Sequence, residues 1–139
     1  MKVSIVYWSG TGNTEAMANA VAEGAQAAGA EVEVLTVADA NDAVLKSDAV
    51  LFGCPAMGSE ELEDSEFEPY FQSLEGGLKA KKVGLFGSYG WGDGEWMRLW
   101  QDRVTEDGAV LIAEGVIANE APDDDAVEAC KALGAKAAE

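Results

Sequence analysis

The sequence predicts an α/β fold: a three-layer, doubly wound sandwich built around a five-stranded parallel sheet. Short apolar runs alternate along the chain with longer amphipathic stretches, which is the pattern of strands connected by helices. The runs at residues 50–52 and 83–86 are almost continuously apolar, as expected for strands covered on both faces. No repeat, linker or low-complexity tract divides the sequence, so we expect residues 1–139 to form one domain.

The predicted strands are residues 2–7, 31–35, 49–54, 82–88 and 110–117. Between them, apolar residues that recur every three or four positions predict helices at 14–28, 94–106 and 123–138. Their apolar faces consist of Met17, Val21, Ala25 and Ala28 in the first, Trp96, Trp100 and Val104 in the second, and Val127, Cys130, Leu133 and Ala137 in the third. Residues 42–47 and 67–76 fit a helix less well, and Pro69 must lie near the start of the latter.

The charge of the chain is strongly acidic, with 26 Asp and Glu against 9 Lys and Arg and a net charge of −17. Binding to DNA, RNA or anionic lipid depends on clustered basic residues, so we expect no nucleic-acid or membrane partner. Two interpretations of the acidity remain open. It indicates either a basic protein partner or a surface that keeps the protein in solution.

Histidine is absent, which excludes His-based catalytic triads, His metal sites and His general bases. Cys54 and Cys130 lack metal-ligand spacing, and we expect them to be buried free thiols and the protein to bind no metal. The chain begins directly with a strand-like stretch and has no apolar run of about 20 residues, so we expect a cytoplasmic protein.

In sheets of this kind, ligands bind beyond the carboxyl ends of the strands. Three predicted loops lie there, at residues 9–14, 55–64 and 89–94. The first reads SGTGNT, which is neither a dinucleotide fingerprint, because the third glycine is missing, nor a Walker loop, because no Lys follows. Its hydroxyls, amide and glycines precede a predicted helix, an arrangement that favours a phosphate monoester over a simple capped turn.

The other two loops suggest a flat ligand. Trp91 stands between Gly90 and Gly92 and fits neither a strand nor a helix period, so we expect it to stack on a planar ring. Met57 suits the core or the face of such a ring. The acidic residues that follow it are expected to be solvated or to form a docking face for a basic partner: Glu61, Glu63, Asp64, Glu66 and Glu68. A phosphate tail and a flat head together fit flavin mononucleotide (FMN).

Three segments, VYWSGTGNTE, GCPAMGSEELEDSEFEP and GLFGSYGWGDGEWM, resemble the short-chain flavodoxins of clostridial type, and the likeness extends over essentially the whole chain. The resemblance implies a sheet of order 2-1-3-4-5 with FMN bound non-covalently. It also implies which residues bind the cofactor: Ser9, Gly10, Thr11, Gly12, Asn13, Thr14, Ala56, Met57, Gly58, Ser59, Glu60, Ser88, Tyr89, Gly90, Trp91 and Gly92.

The resemblance also implies particular roles for these residues. The first loop would bind the phosphate, Met57 and Trp91 would cover the two faces of the isoalloxazine, and Glu60 would accept a hydrogen bond from flavin N3–H. Residues 88–90 would contact the pyrimidine end. The peptide between residues 58 and 59 would turn its carbonyl toward flavin N5 on one-electron reduction.

The function implied is that of a low-potential one-electron carrier, cycling between semiquinone and hydroquinone and turning over no substrate of its own. Its partners would be ferredoxin-type donors and acceptors with basic docking surfaces, and the protein would be a monomer. The alternative is an FMN-dependent NAD(P)H:quinone reductase on the same fold, although the sequence leaves no room for a nicotinamide site. A signalling receiver domain is disfavoured, because the first and third strands end in Trp8-Ser9 and Cys54-Pro55 and not in acidic residues.

Overall fold

The structure is a computed structural model that describes residues 1–58 and 60–139. Its strands are β1 (Lys2–Tyr7), β2 (Glu31–Thr36), β3 (Ala49–Gly53), β4 (Lys82–Tyr89), β5 (Val110–Leu111) and β6 (Val116–Asn119). They pair in parallel in the order β2-β1-β3-β4-β5, and β6 also pairs with β4. The predicted fold class and strand order are therefore confirmed.

In the described part of the chain, three helices connect strands, α1 (Asn13–Ala27), α2 (Phe67–Leu74) and α3 (Glu95–Glu106), and a fourth, α4 (Asp124–Ala137), follows β6. The two weaker helix predictions correspond to a 3₁₀ turn at Asp42–Lys46 and to α2 followed by a 3₁₀ turn at Glu75–Gly77. Pro69 lies in the first turn of α2, where it removes no intrahelical bond. Ala28, predicted on the apolar face of α1, is exposed because the helix ends at Ala27, before the left-handed Gly29.

The sheet carries an apolar core on each face, which is why β1, β3 and β4 are buried on both sides. On one face, α1 and α4 pack over Val3 and Ile5. On the other face, α2 and α3 contribute Phe67, Phe71 and Trp100, whose rings pack against one another with centroids 5.5–6.0 Å apart. Among the described residues, we find no helix that is long and apolar enough to cross a bilayer.

The last predicted strand, residues 110–117, is wrong as a continuous element. β5 pairs with the start of β4 and β6 with its end. The amide of Ile112 still donates to the carbonyl oxygen of Val83, and residues 113–115 lie between the two strands. In this interval, the amide of Gly115 donates a hydrogen bond to Oε1 of Gln101 on α3. A side chain that is remote in sequence therefore replaces the sheet as the partner of this backbone group.

Candidate functional site

A cavity of about 500 Å³ opens at the carboxyl end of the sheet, between the loops that follow β1, β3, β4 and β6. This volume is within the range of small-molecule and cofactor sites. The lining residues are Trp8, Gly10, Thr11, Asn13, Pro55, Ala56, Met57, Ser88, Tyr89, Gly90, Glu120 and Ala121. The three loops singled out in the sequence therefore meet at one cavity.

The loop after β1 is closed by the side chain of Ser9. Its hydroxyl oxygen accepts the amide of Gly12 at 3.0 Å and the amide of Glu15 at 3.3 Å. Both bonds use Ser9 as the acceptor, so the hydroxyl proton remains free to be donated to an anion. Gly12, at φ 94°, immediately precedes α1 in a left-handed conformation that suits glycine. The positive end of α1 faces the same loop, which favours a bound anion.

The acidic residue in the first turn of α1 does not line the cavity. Tyr7 donates its hydroxyl proton to Oε2 of Glu15 at 2.9 Å, and Glu15 lines a second hollow together with Ser9, Thr36 and Val37. Burial and this contact with a carboxylate together raise the pKa of Tyr7, so the phenol stays protonated and able to donate. The arrangement reduces the repulsion that Glu15 would otherwise exert on an anion at the loop.

The loop after β3 forms a narrow arm. Met57 and Glu61 exchange backbone hydrogen bonds of 2.8 and 2.9 Å, so the two sides of the arm run antiparallel. Gly58 has φ 51° and Glu60 has φ 56°. Ser59 lies outside the described residues, so the predicted rotation of the 58–59 peptide stays a prediction. The arm is tied to β4 by the amide of Ala56, which donates to the carbonyl oxygen of Ser88 at 3.0 Å.

Two of the acidic side chains in this loop are not the solvated carboxylates that the sequence predicts. Glu63 is only 5% exposed, and its carboxylate accepts the amides of Ser65, Glu66 and Phe67, each at 2.8 Å. Burial raises the pKa of Glu63, but these three hydrogen bonds lower it by more, so the net pKa lies below the ordinary value. Glu68 is paired with Arg103. Glu61, Asp64 and Glu66 are exposed, as predicted.

Glu60 links the arm to the loop after β4. Its Oε1 accepts the amides of Gly94 at 3.2 Å and Glu95 at 3.1 Å, and so satisfies backbone groups at the start of α3. Gly92, at φ 89°, packs directly against this carboxylate. The second and third loops are therefore joined through one side chain, whose predicted contact with flavin N3–H stays a prediction.

The aromatic and apolar side chains of the site differ in exposure. Tyr89 is half-buried, and its ring lies 5.6 Å from that of Trp96. Met57 is 40% exposed at the cavity wall, and Trp91 is 64% exposed and does not line the cavity. An indole at this position is free to cover a planar ligand from outside, and that role also stays a prediction.

Four lining residues are absent from the set expected from the sequence: Trp8, Pro55, Glu120 and Ala121. Glu120 adopts φ 58°, its amide donates to the carbonyl oxygen of Tyr89 at 2.7 Å, and its own carbonyl accepts the hydroxyl of Ser88 at 2.6 Å. The rule that ligands bind beyond the carboxyl ends of strands could have indicated this fourth loop, had it been applied to the last strand.

The structure brings together eight of the expected residues on the cavity wall: Gly10, Thr11, Asn13, Ala56, Met57, Ser88, Tyr89 and Gly90. Ser9, Gly12, Gly58, Glu60, Trp91 and Gly92 lie in the same loops without lining the cavity, and Thr14 is almost wholly buried. Within residues 1–58 and 60–139, no three His, Cys, Asp or Glu side chains are grouped to hold a metal.

Comparison with known proteins gives a consistent result. The family model described as Flavodoxin matches residues 5–134. The chain is 57% identical to a flavodoxin of Megasphaera elsdenii, over 98% of each chain, and 46% identical to one of Clostridium beijerinckii, over 98% of this chain and 99% of that protein. The solution structure of two-electron reduced Megasphaera elsdenii flavodoxin superposes with a TM-score of 0.91 at 59% identity, over 98% of each chain.

Proposed function

The chain belongs to the flavodoxin family, and we propose that its FMN occupies the cavity between the loops after β1, β3, β4 and β6. Its cofactor is FMN, and it is an electron carrier and not an enzyme that turns over a substrate, which confirms the function predicted from the sequence. The alternative of a quinone reductase is not favoured, since the relatives that match over the full length are flavodoxins. When bound, FMN supplies the group that takes up and releases electrons.

The loop after β1 fits a phosphate monoester that is held without a cation. The hydroxyl proton of Ser9 is free, and α1 directs its positive end at the loop. Glu15 is retained by Tyr7 outside the cavity. We infer that Gly10, Thr11 and Asn13, which line the cavity, contact the phosphate directly.

The opposite part of the cavity fits a flat, partly apolar ring. Trp8, Met57 and Tyr89 supply apolar wall, and Ser88 and Gly90 lie beside them on β4 and its loop. The observation that carries the proposal is the continuity of one cavity from the phosphate-type loop to these walls. Trp91 and Glu60 complete the site from the rim, Trp91 by covering the ring and Glu60 by accepting a hydrogen bond from a ring N–H.

The chain carries electrons between redox partners. We infer that these partners are ferredoxin-type proteins with basic docking surfaces, that the carrier is a cytoplasmic monomer, and that residues 1–139 form its single domain. The net charge of −17 supports the basic character of the partners, because opposite charges speed and orient association. Exposed Met57 and Trp91 lie near the cavity, where a partner must approach for electron transfer.

The phosphate end is tested by titrating apoprotein with FMN and with riboflavin, which lacks the phosphate. We expect the wild type to prefer FMN by about 100-fold, and Ser9→Ala to lose most of this preference because the loop loses its closing acceptor. Ser73→Ala is the matched control, because the hydroxyl of Ser73 bonds the carbonyl of Tyr70 on α2. Equal affinity of the wild type for both flavins would contradict the proposed phosphate site.

Electron carriage is tested by stepwise anaerobic reduction of the FMN-bound protein, followed by its visible spectrum. A one-electron carrier produces a new long-wavelength band near half reduction, which then disappears. Direct bleaching without that band would contradict one-electron carriage and leave FMN binding intact.

A further inference from the structure

We propose that Cys54 is a positioning residue for FMN, and that its thiol closes the base of the arm carrying Met57 and Gly58. The proposal rests on the cofactor site proposed above, since it acts through the wall that Met57 contributes. Cys54 does not itself line the cavity and is fully buried at the end of β3.

The thiol joins the two ends of the arm. Its sulfur accepts the amide of Glu63 at 3.3 Å, and its S–H points to the carbonyl oxygen of Pro55 at 3.6 Å. Pro55 is the residue from which the arm departs, and Glu63 is the residue at which the chain returns to the core. One side chain therefore makes polar contacts with residues at both ends of the arm.

The thiol is chemically suited to this double role. Burial raises the pKa of Cys54 strongly, and the amide of Glu63 offsets only part of that rise. The group therefore stays a neutral thiol over the physiological range, with a proton to donate and lone pairs to accept.

The backbone of Cys54 is fixed independently of the arm. Its amide donates to the carbonyl oxygen of Phe86 at 3.1 Å, and its own carbonyl accepts the indole N–H of Trp96 at 3.1 Å. A side chain at Gly87 would overlap with this carbonyl, so the glycine allows β3 and β4 to keep the contact. Because the backbone of Cys54 is held in place, β3 cannot shift to compensate for a substitution at the sulfur, and the arm shifts instead.

The arm transmits such a change to the cavity. Glu63 is held by the sulfur and by its own bonds to the start of α2, and Glu61 is bonded to Met57 across the arm. Removing the sulfur leaves the buried amide of Glu63 without its acceptor and frees this end of the arm to shift. Met57 then moves relative to the ring that it packs against.

The test compares Cys54→Ala with Cys130→Ala. Cys130 is the matched control because it too is a fully buried free thiol, but it lies on α4 on the opposite face of the sheet. We expect Cys54→Ala to weaken FMN binding to apoprotein by about fivefold, as for the loss of one hydrogen bond, and Cys130→Ala to leave it unchanged. In apoprotein, we expect amide hydrogen exchange at Glu63 to accelerate in Cys54→Ala and not in Cys130→Ala. Cys54→Ser retains an acceptor, so it should recover part of the FMN affinity and part of the slow exchange at Glu63.

Equal FMN affinities of the two alanine variants would overturn the proposal and reduce Cys54 to a packing residue. Unchanged exchange at Glu63 in Cys54→Ala would overturn it as well. If Cys54→Ala does not fold, Cys54→Val and Cys130→Val replace the pair, since valine fills the volume without accepting a hydrogen bond. Failure of the wild type to bind FMN would instead refute the cofactor site, and exchange at Glu63 would still report on the sulfur contact.

Discussion

Gly92 packs so closely against Glu60 that a Cβ on the glycine would lie 2.5 Å from the carboxyl carbon of the glutamate. The same carboxylate bonds the amides of Gly94 and Glu95. The position of the arm after β3 relative to α3 therefore depends on the absence of a side chain at residue 92.

Gly92→Ala is expected to displace Glu60 and to weaken FMN binding by about tenfold, an amount comparable to the loss of a helix cap. Gly29→Ala is its control, because Gly29 has φ 94° but nothing within 4 Å of the added Cβ. Both variants should lower the free energy of unfolding by about 1–2 kcal/mol, because each places an alanine at a positive φ. Isothermal titration with FMN separates them, and equal affinities would show that the contact with Glu60 does not matter for the site.

Glu63→Gln is expected to lower the free energy of unfolding by about 1–2 kcal/mol at neutral pH, because the start of α2 loses a charged acceptor. The folded-state pKa of Glu63 is lowered, so its stabilising effect is present above the unfolded pKa of about 4.3 and is lost as pH falls through the folded pKa. The difference in free energy of unfolding between wild type and variant should therefore shrink in that acid range. Urea denaturation at several pH values measures it, with exposed Asp64→Asn as a control that should show little change.

Asp107→Asn is expected to raise the free energy of unfolding, whereas Glu63→Gln lowers it. Burial and the adjacent carboxylate of Glu75 raise the pKa of Asp107 to about 6, and its Oδ2 has no hydrogen-bond partner within the described residues. The ionised form therefore destabilises the folded state above about pH 6, and this penalty is relieved as pH falls toward the unfolded pKa of about 3.9.

At pH 8 the free energy of unfolding of Asp107→Asn should exceed that of the wild type by about 1 kcal/mol, because the variant lacks the unfavourable charge. The gain is small because solvent screens part of the repulsion between Asp107 and Glu75, and it should vanish near pH 4. Thermal unfolding at both pH values measures the difference. Asp102→Asn, at an exposed site on α3 five residues before Asp107, should show no such trend. A gain that did not depend on pH would argue against titration of Asp107.

Arg103→Lys is expected to destabilise the protein by about 1–3 kcal/mol, because lysine cannot reproduce the forked hydrogen bonds of a guanidinium. Arg103 bonds both oxygens of Glu68 at 2.6 and 2.7 Å, bonds Glu75 through two nitrogens, and lies 4.9 Å from the centre of the Phe71 ring. The pair of Arg98 and Asp93 is largely exposed, so Arg98→Lys should change stability by less than about 0.5 kcal/mol. Urea denaturation compares the two, and equal effects would contradict a structural role for the Arg103 cluster.

The elements that could be predicted from sequence are those fixed by local pattern. Strand β1 was predicted at its observed bounds, and Trp96, Trp100 and Val104 are buried on one face of α3 as their spacing indicates. The loop at Ser9 could be predicted because its hydroxyls, glycines and following helix are contiguous in the chain. Wherever the residues that interact are neighbours in sequence, the pattern itself carries the information.

The error in the last strand came from partners that are distant in sequence. The break between β5 and β6 involves Gln101 and Gly115, fourteen positions apart, and it precedes the strand that leads to Glu120 at the cavity. Glu63 is one acid among several similar ones, and although its carboxylate bonds amides only two to four residues away, the sequence does not show that this acid turns inward. Composition and periodicity do not encode which of several similar side chains faces inward.

The sequence by itself determined the layered α/β fold, the order of strands and helices along the chain, and three loops that border the cavity, because apolar periodicity and turn residues act locally. Tertiary structure alone decided that Glu60 joins the arm to α3 and that the sulfur of Cys54 accepts the amide of Glu63 at the base of the arm. Those contacts depend on the distances between packed elements, which exist only once the two cores on either side of the sheet have formed.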